Sequence, residues 1–189
     1  MQNTRKKLVG VLALQGGFEA HQRALDSAGA DTLQVRTVED LNRVEALVIP
    51  GGESTTMLKL LGYMNLLEPL RSFAGTKPVF GTCAGAILLA TEVTCPSQNS
   101  LDVIDMTIER NGYGRQIDSR VAQIDFPGGP MEAVFIRAPI IRRTGPDVTV
   151  LAEYQGTPVL IEQGRHLAAT FHPELTGDSR VHALFLSKL

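Results

Sequence analysis

Pro78-Val79-Phe80-Gly81-Thr82-Cys83-Ala84-Gly85-Ala86-Ile87-Leu88-Leu89-Ala90 joins a short apolar run to an aliphatic one. The turn between them is bracketed by Gly81 and Gly85 and carries a thiol at its apex. The pattern predicts a buried strand, a tight turn and a helix. A sharp strand-to-helix turn projects its central side chain from the sheet edge, which is the geometry of a nucleophile elbow. It also sets the sulfur at a helix N-terminus, where unpaired N–H groups and the dipole stabilise negative charge. A cysteine in apolar surroundings is also commonly a small buried hydrophobe, so a catalytic reading requires a base elsewhere in the chain.

Upstream of this stretch, short aliphatic runs alternate with helical patterns. Strands are expected over residues 8–14, 32–35, 46–49 and 78–80, and helices over 18–28, 54–61 and 66–73. Strands separated by helices imply βαβ units and a parallel sheet buried on both faces. Downstream the period changes. Ile104, Met106 and Ile108 alternate with Asp105, Thr107 and Glu109, the signature of a half-exposed strand. Further strands are expected over 121–124, 133–136, 148–154, 159–163 and 166–171. The turns fall at Gly128-Gly129-Pro130, Gly145-Pro146, Gln155-Gly156 and Gly164, so this half is β-rich with hairpin-length connections. A closing helix is expected over 180–188. No internal repeat, low-complexity segment or linker divides the chain, so residues 1–189 are expected to form one domain.

The 189 residues suffice for one full hydrophobic core. Eighteen basic against twenty acidic residues leave a formal charge of −2, which offers no electrostatic case for nucleic acid. The basic start Arg5-Lys6-Lys7 precedes an apolar run, as in a signal peptide, but Gly10 interrupts that run and no small-residue cleavage site follows. No stretch reaches transmembrane length. Cys83 and Cys95 cannot build a disulfide framework of the secreted kind, and two thiols are compatible with a reducing cytoplasm.

Phe171-His172-Pro173-Glu174 supplies the base that Cys83 needs. His172 and Glu174 leave the end of a strand two residues apart, with a proline limiting the backbone between them. An imidazole there accepts the thiol proton and returns it to a leaving amine, while the carboxylate orients the ring. The bland alternative is a structural turn. Pro50-Gly51-Gly52-Glu53-Ser54-Thr55-Thr56 follows the third strand and opens a helix. It reads as a helix cap with Ser54 at the N-cap, or as a set of backbone N–H groups aimed at an oxyanion or a polar ligand head. It lacks the lysine of a phosphate-binding loop. Both glycine-rich turns fall at the carboxyl ends of parallel strands, where open α/β sheets bind ligands. Arg110 and Arg137 each end a strand, usually the place of a solvated charge. His21, His166 and His182 have no metal-ligand spacing, His182 is expected to face the core, and neither a metal nor a cofactor is expected.

Together these residues resemble the class I (triad) glutamine amidotransferases, which match at Gly81-Thr82-Cys83-Ala84-Gly85 and His172-Pro173-Glu174. Within that class the chain resembles the family of glutaminase subunits of pyridoxal 5′-phosphate synthases. That resemblance rests on Gly10-Val11-Leu12-Ala13-Leu14-Gln15-Gly16, Pro50-Gly51-Gly52-Glu53-Ser54-Thr55-Thr56-Met57, Glu109-Arg110-Asn111-Gly112-Tyr113-Gly114-Arg115-Gln116, Phe135-Ile136-Arg137-Ala138-Pro139 and Phe171-His172-Pro173-Glu174-Leu175-Thr176. It implies an α/β fold, a flavodoxin-like three-layer sandwich with a mostly parallel central sheet and an antiparallel β-rich second half. It implies hydrolysis of L-glutamine to glutamate and ammonia by Cys83, His172 and Glu174. Glutamine contacts carry over to Gly52, Glu53, Ser54, Arg110, Ile136 and Arg137, which replaces the bland reading of the two arginines, and backbone N–H groups at Gly52 and Ala84 would form the oxyanion hole. The implied partner is a separate (β/α)8-barrel synthase subunit in a large hetero-oligomer with a dozen of each chain. A cysteine peptidase or γ-glutamyl hydrolase uses a similar elbow but leaves the Arg110 and Arg137 blocks unexplained.

Overall fold

The computed structural model describes residues 6–110 and 119–189. In chain order the elements are β1 (Leu8–Leu12), α1 (Phe18–Ser27), β2 (Asp31–Val35), α2 (Val38–Arg43), β3 (Ala46–Ile49), α3 (Ser54–Tyr63), α4 (Leu67–Thr76), β4 (Val79–Thr82) and α5 (Ala84–Leu89). The second half follows as β5 (Ala90–Thr94), β6 (Ile104–Glu109), β7 (Arg120–Ile124), β8 (Met131–Phe135), β9 (Ile140–Thr144), β10 (Thr149–Tyr154), β11 (Thr157–Gln163), β12 (His166–Ala169) and α6 (Arg180–Leu186).

A seven-stranded sheet runs in the order β10-β11-β12-β4-β3-β1-β2. Its pairs from β2 through β12 are parallel, whereas β12, β11 and β10 pair antiparallel. From the β2 edge the order 2-1-3-4, with β12 in the next place, is the flavodoxin-like arrangement, in which ligands bind at the carboxyl ends of the strands. The expected fold class is therefore the one observed. A smaller sheet, β5-β6-β9, and a β7-β8 hairpin complete the β-rich half.

Central strands are apolar on both faces because helices cover both. In β3, Leu47 and Ile49 enter one hydrophobic cluster, with Met57, Leu61 and Leu70 of α3 and α4. Ala46 and Val48 of the same strand enter the other, with Leu25 of α1 and Val181 and Phe185 of α6. A period-2 strand thus feeds two cores at once.

Three short elements went unassigned from sequence: α2, β5 and β9. Helix α2 spans only six residues, too few for a periodic stripe. It is held by a capping box in which Thr37 Oγ1 accepts from the Asp40 N–H and the Asp40 carboxylate accepts from the Thr37 N–H. Ser54 is not the N-cap of α3. Glu53 is, with its carboxylate accepting from the N–H groups of Thr55 and Thr56.

Candidate active site

Four turns meet at the carboxyl rim of the central sheet, following β1, β3, β4 and β12. The turn after β4 holds Cys83 at φ 50°, ψ −106°, a backbone region that a side chain enters only under constraint. The constraint is visible in its neighbours. A Cβ on Gly81 would lie 2.5 Å from the Gly85 backbone, and one on Gly85 would lie 2.0 Å from the Ile49 carbonyl oxygen. Only glycine lets α5 start this close to β3 and β4. The Cys83 N–H donates to the Ala169 carbonyl at 2.8 Å, which ties the elbow to β12. Its thiol faces the Ile136 carbonyl at 3.9 Å.

Beyond β12 the chain makes a 3₁₀ turn, Pro173–Leu175, with the proline at its start. The His172 N–H donates to the Val134 carbonyl of β8 at 2.8 Å. His172 Nδ1 and Glu174 Oε1 are 2.7 Å apart. Burial works against a charged imidazole, but the interactions with Cys83 and Glu174 outweigh it and raise the His172 pKa to about 10. Burial likewise opposes ionisation of Glu174, yet hydrogen bonding to His172 and the nearby imidazoles keep its pKa below the ordinary carboxylate value. The ring also presses on the turn after β3: a Cβ on Gly51 would stand 2.5 Å from His172 Cε1 and 3.3 Å from Cys83 Cβ. The sulfur, imidazole and carboxylate expected from sequence are thus brought together.

A cleft of about 420 Å³ opens over Cys83 and His172. Gly52, Glu53, Ser54, Ala84, Arg110, Ile136 and Arg137 all border it, so every expected substrate and oxyanion position does so. Glu174 does not and sits behind His172. Burial raises the Glu53 pKa, but hydrogen bonds from Thr56 and Thr55 prevail and bring it to about 2. The same carboxylate pairs with Arg110 at 3.0 Å, and Arg110 also donates to the Thr55 hydroxyl at 2.8 Å. Ser54 donates its hydroxyl to Gln98 Oε1 at 2.9 Å. Arg137 has φ 44°, a left-handed kink two residues after β8. Residues 111–116 of the block that begins at Glu109 lie outside the described residues.

Sequence reasoning missed Gly16 and Gly17, which also border the cleft. Their signal was the same as at the other turns, glycines directly after a buried strand. A Cβ on Gly16 would meet the Gly51 carbonyl oxygen at 1.9 Å, and Gln15 Nε2 donates to the Glu53 carbonyl at 2.6 Å, so the first turn braces the third-strand turn. Sequence reasoning expected His182 to face the core, as it does, but missed that His21 and Thr82 join it beneath Glu174. His21, His182 and Thr82 are fully buried there, and no sequence spacing links α1 to α6.

Sheet order and elbow together define a glutamine amidotransferase fold. A crystal structure of a glutamine amidotransferase matches with a TM-score of 0.89 at 46% identity, covering 95% of this chain and 97% of that one. A structure of PurLQS from Thermotoga maritima, 16% identical with a TM-score of 0.67 over 97% of this chain and 98% of that one, shares the fold. The family model described as the SNO glutamine amidotransferase family matches residues 11–189, and the chain belongs to that family. It is 62% identical to pyridoxal 5′-phosphate synthase subunit PdxT of Solibacter usitatus, covering 97% of this chain and 100% of the relative. It is 57% identical to the protein of that name from Koribacter versatilis, over 94% and 93% of the two chains. Among the described residues no helix is long and apolar enough to cross a membrane.

Proposed function

We propose that this chain is the glutamine-hydrolysing subunit of a pyridoxal 5′-phosphate synthase, one cytoplasmic glutaminase domain over residues 1–189, with Cys83, His172 and Glu174 as its triad. One observation carries the reading: a thiol on a strained elbow shares a cleft wall with an imidazole that a buried carboxylate holds at 2.7 Å. The full-length likeness to synthase subunits points to the pathway.

The Cys83 sulfur attacks the side-chain amide carbon of glutamine. The developing oxyanion takes hydrogen bonds from backbone N–H groups at Gly52 and Ala84, each such donor being worth about 3–4 kcal/mol in the transition state. His172, protonated and held by Glu174, gives its proton to the departing nitrogen. Ammonia leaves and a glutamyl thioester remains on Cys83. Water, deprotonated by the same imidazole, then attacks the thioester and releases glutamate with the thiol restored. Arg110 or Arg137 supplies the positive charge for the substrate carboxylate. Glu53, Ser54 and Ile136 border the same pocket and frame the amino-acid end. The ammonia passes to a separate (β/α)8-barrel synthase subunit in a hetero-oligomer with a dozen of each chain.

The test mixes parent or Cys83→Ala protein with a candidate synthase barrel and follows both glutamate release and glutamine-dependent cofactor formation. The parent complex is expected to do both, and the alanine variant to fall by roughly 10³-fold or more. The isolated parent subunit is expected to turn over glutamine much more slowly than the complex, because the Gly51-Gly52 turn is free to flip its peptide and docking would set it for catalysis. Parent-like hydrolysis by Cys83→Ala would sink the proposal.

A further inference from the structure

Behind the cleft, Glu174 is gripped from two sides. Its Oε1 meets His172 Nδ1 at 2.7 Å, and its buried Oε2 lies 3.3 Å from His21 Nε2. His21 comes from α1 and is fully buried. Its Nε2 is also 3.0 Å from Thr82 Oγ1, next to the elbow cysteine, and its Nδ1 is 3.0 Å from His182 Nε2 on α6. Oε2 is without a well-aligned hydrogen bond among the described residues, as is His182 Nδ1.

Two proton arrangements satisfy the His21–His182 contact. If His21 carried its proton on Nδ1, its bare Nε2 lone pair would face the Glu174 carboxylate, and His182 would bury an N–H at Nδ1 with nothing to accept it. If His182 donates from Nε2 to His21 Nδ1, the His21 proton sits on Nε2, where it donates to Thr82 Oγ1 at 3.0 Å and lies beside Glu174 Oε2. The group then left unpaired is a lone pair at His182 Nδ1. A buried orphan donor is rarer than an orphan acceptor, and a lone pair against a carboxylate is repulsive. The second arrangement is the favoured one.

We infer that His21 is a positioning residue for the hydrolytic reaction: its Nε2–H, set by His182 and bonded to Thr82 Oγ1, keeps its positive edge 3.3 Å from Glu174 Oε2 and so keeps Oε1 aligned on His172. The inference rests on the triad reading above. Burial holds the His21 pKa down at about 4, against the pull of Glu174, so His21 donates as a neutral ring. A second imidazolium there would compete with His172 for the same carboxylate.

The test uses the complex with its synthase subunit and two variants. In His21→Gln the side-chain nitrogen reaches the depth of Nε2, whereas in His21→Asn it reaches only that of Nδ1. His21→Asn is expected to lower kcat for glutamine hydrolysis about 10- to 100-fold with KM within about twofold, the usual range for a partner that orients a reacting ligand. His21→Gln is expected to recover most of that loss. A parent-like kcat in the asparagine variant, or equal losses in both that follow their melting temperatures, would overturn the role. Should either variant fail to fold, ¹H–¹⁵N correlation spectra of histidine-labelled parent protein decide the matter. A neutral His21 protonated at Nε2 supports the inference, and one protonated at Nδ1 overturns it. A parent complex without glutaminase activity, whose Cys83 also resists a glutamine-analogue electrophile, would overturn the triad reading and this inference with it.

Discussion

Glu174 keeps its charge in a place where burial alone would remove it. Three partners offset that cost: the His172 Nδ1–H on one oxygen, the His21 ring facing the other, and its own turn backbone. Removing the charge while keeping the shape isolates its contribution. In Glu174→Gln the amide presents either an N–H to the His172 N–H or a weaker acceptor, so the imidazolium formed during attack loses its counter-charge. A fall in kcat of about 10³–10⁴-fold with a smaller change in KM is expected, measured by steady-state glutamate release from the complex. The three residues proposed as a triad were legible as candidates because they lie in recognisable local settings, an elbow and a His-Pro-Glu turn. Glu53 shows the opposite case. Sequence offered Ser54 as the cap, since serine is a good one. The structure gives the cap to Glu53, whose longer side chain reaches back to two N–H groups and also meets Arg110.

At the scale of elements, the elbow depends on how closely α5 approaches β3. Gly85 stands where a methyl group would enter the Ile49 carbonyl, and backbone cannot yield as a flexible side chain can. Gly85→Ala is expected to destabilise the protein by about 3 kcal/mol and to displace Cys83, read as a lower urea midpoint together with slower labelling of the thiol. Gly62→Ala makes the contrast. A Cβ there meets nothing within 4 Å, and the site lies in the last turn of α3, so a gain of about 0.5 kcal/mol, at the low end of the helix-interior value, is expected. Long periodic elements such as α1, α3 and β6 were legible. The short α2, β5 and β9 were not, because five or six residues carry too little period to separate strand, helix and loop. Their form is decided by the partner strand or the capping side chain they meet.

Across the whole molecule, buried histidines set a dependence on acidity. The folded pKa values of His21 and His182 lie at about 4 and about 3, chiefly through burial, against 6.5 for a free imidazole. Unfolded chains therefore bind protons below pH 6.5 that the folded protein refuses, and stability falls as pH drops through that range. His172 runs the other way. Its raised pKa contributes fully below pH 6.5 and is lost progressively between pH 6.5 and about 10, so it adds no slope below pH 6.5. Between pH 7 and 5 the His21 share is about 2 kcal/mol. His21→Gln should flatten the acid limb by that amount when urea midpoints are compared at the two pH values, and an unchanged slope would contradict a neutral buried His21. The sequence by itself determined the class of fold, the thiol elbow, the His-Pro-Glu turn and the glycine turns at the strand ends, because each is written within a few neighbouring residues whose period and sterics act locally. Only the tertiary structure decided that β12 inserts beside β4 and so delivers His172 to Cys83, and that α1 and α6 set two imidazoles beneath Glu174. Those contacts join residues far apart in the chain, and they arise from burying both faces of one sheet, a condition no local stretch expresses.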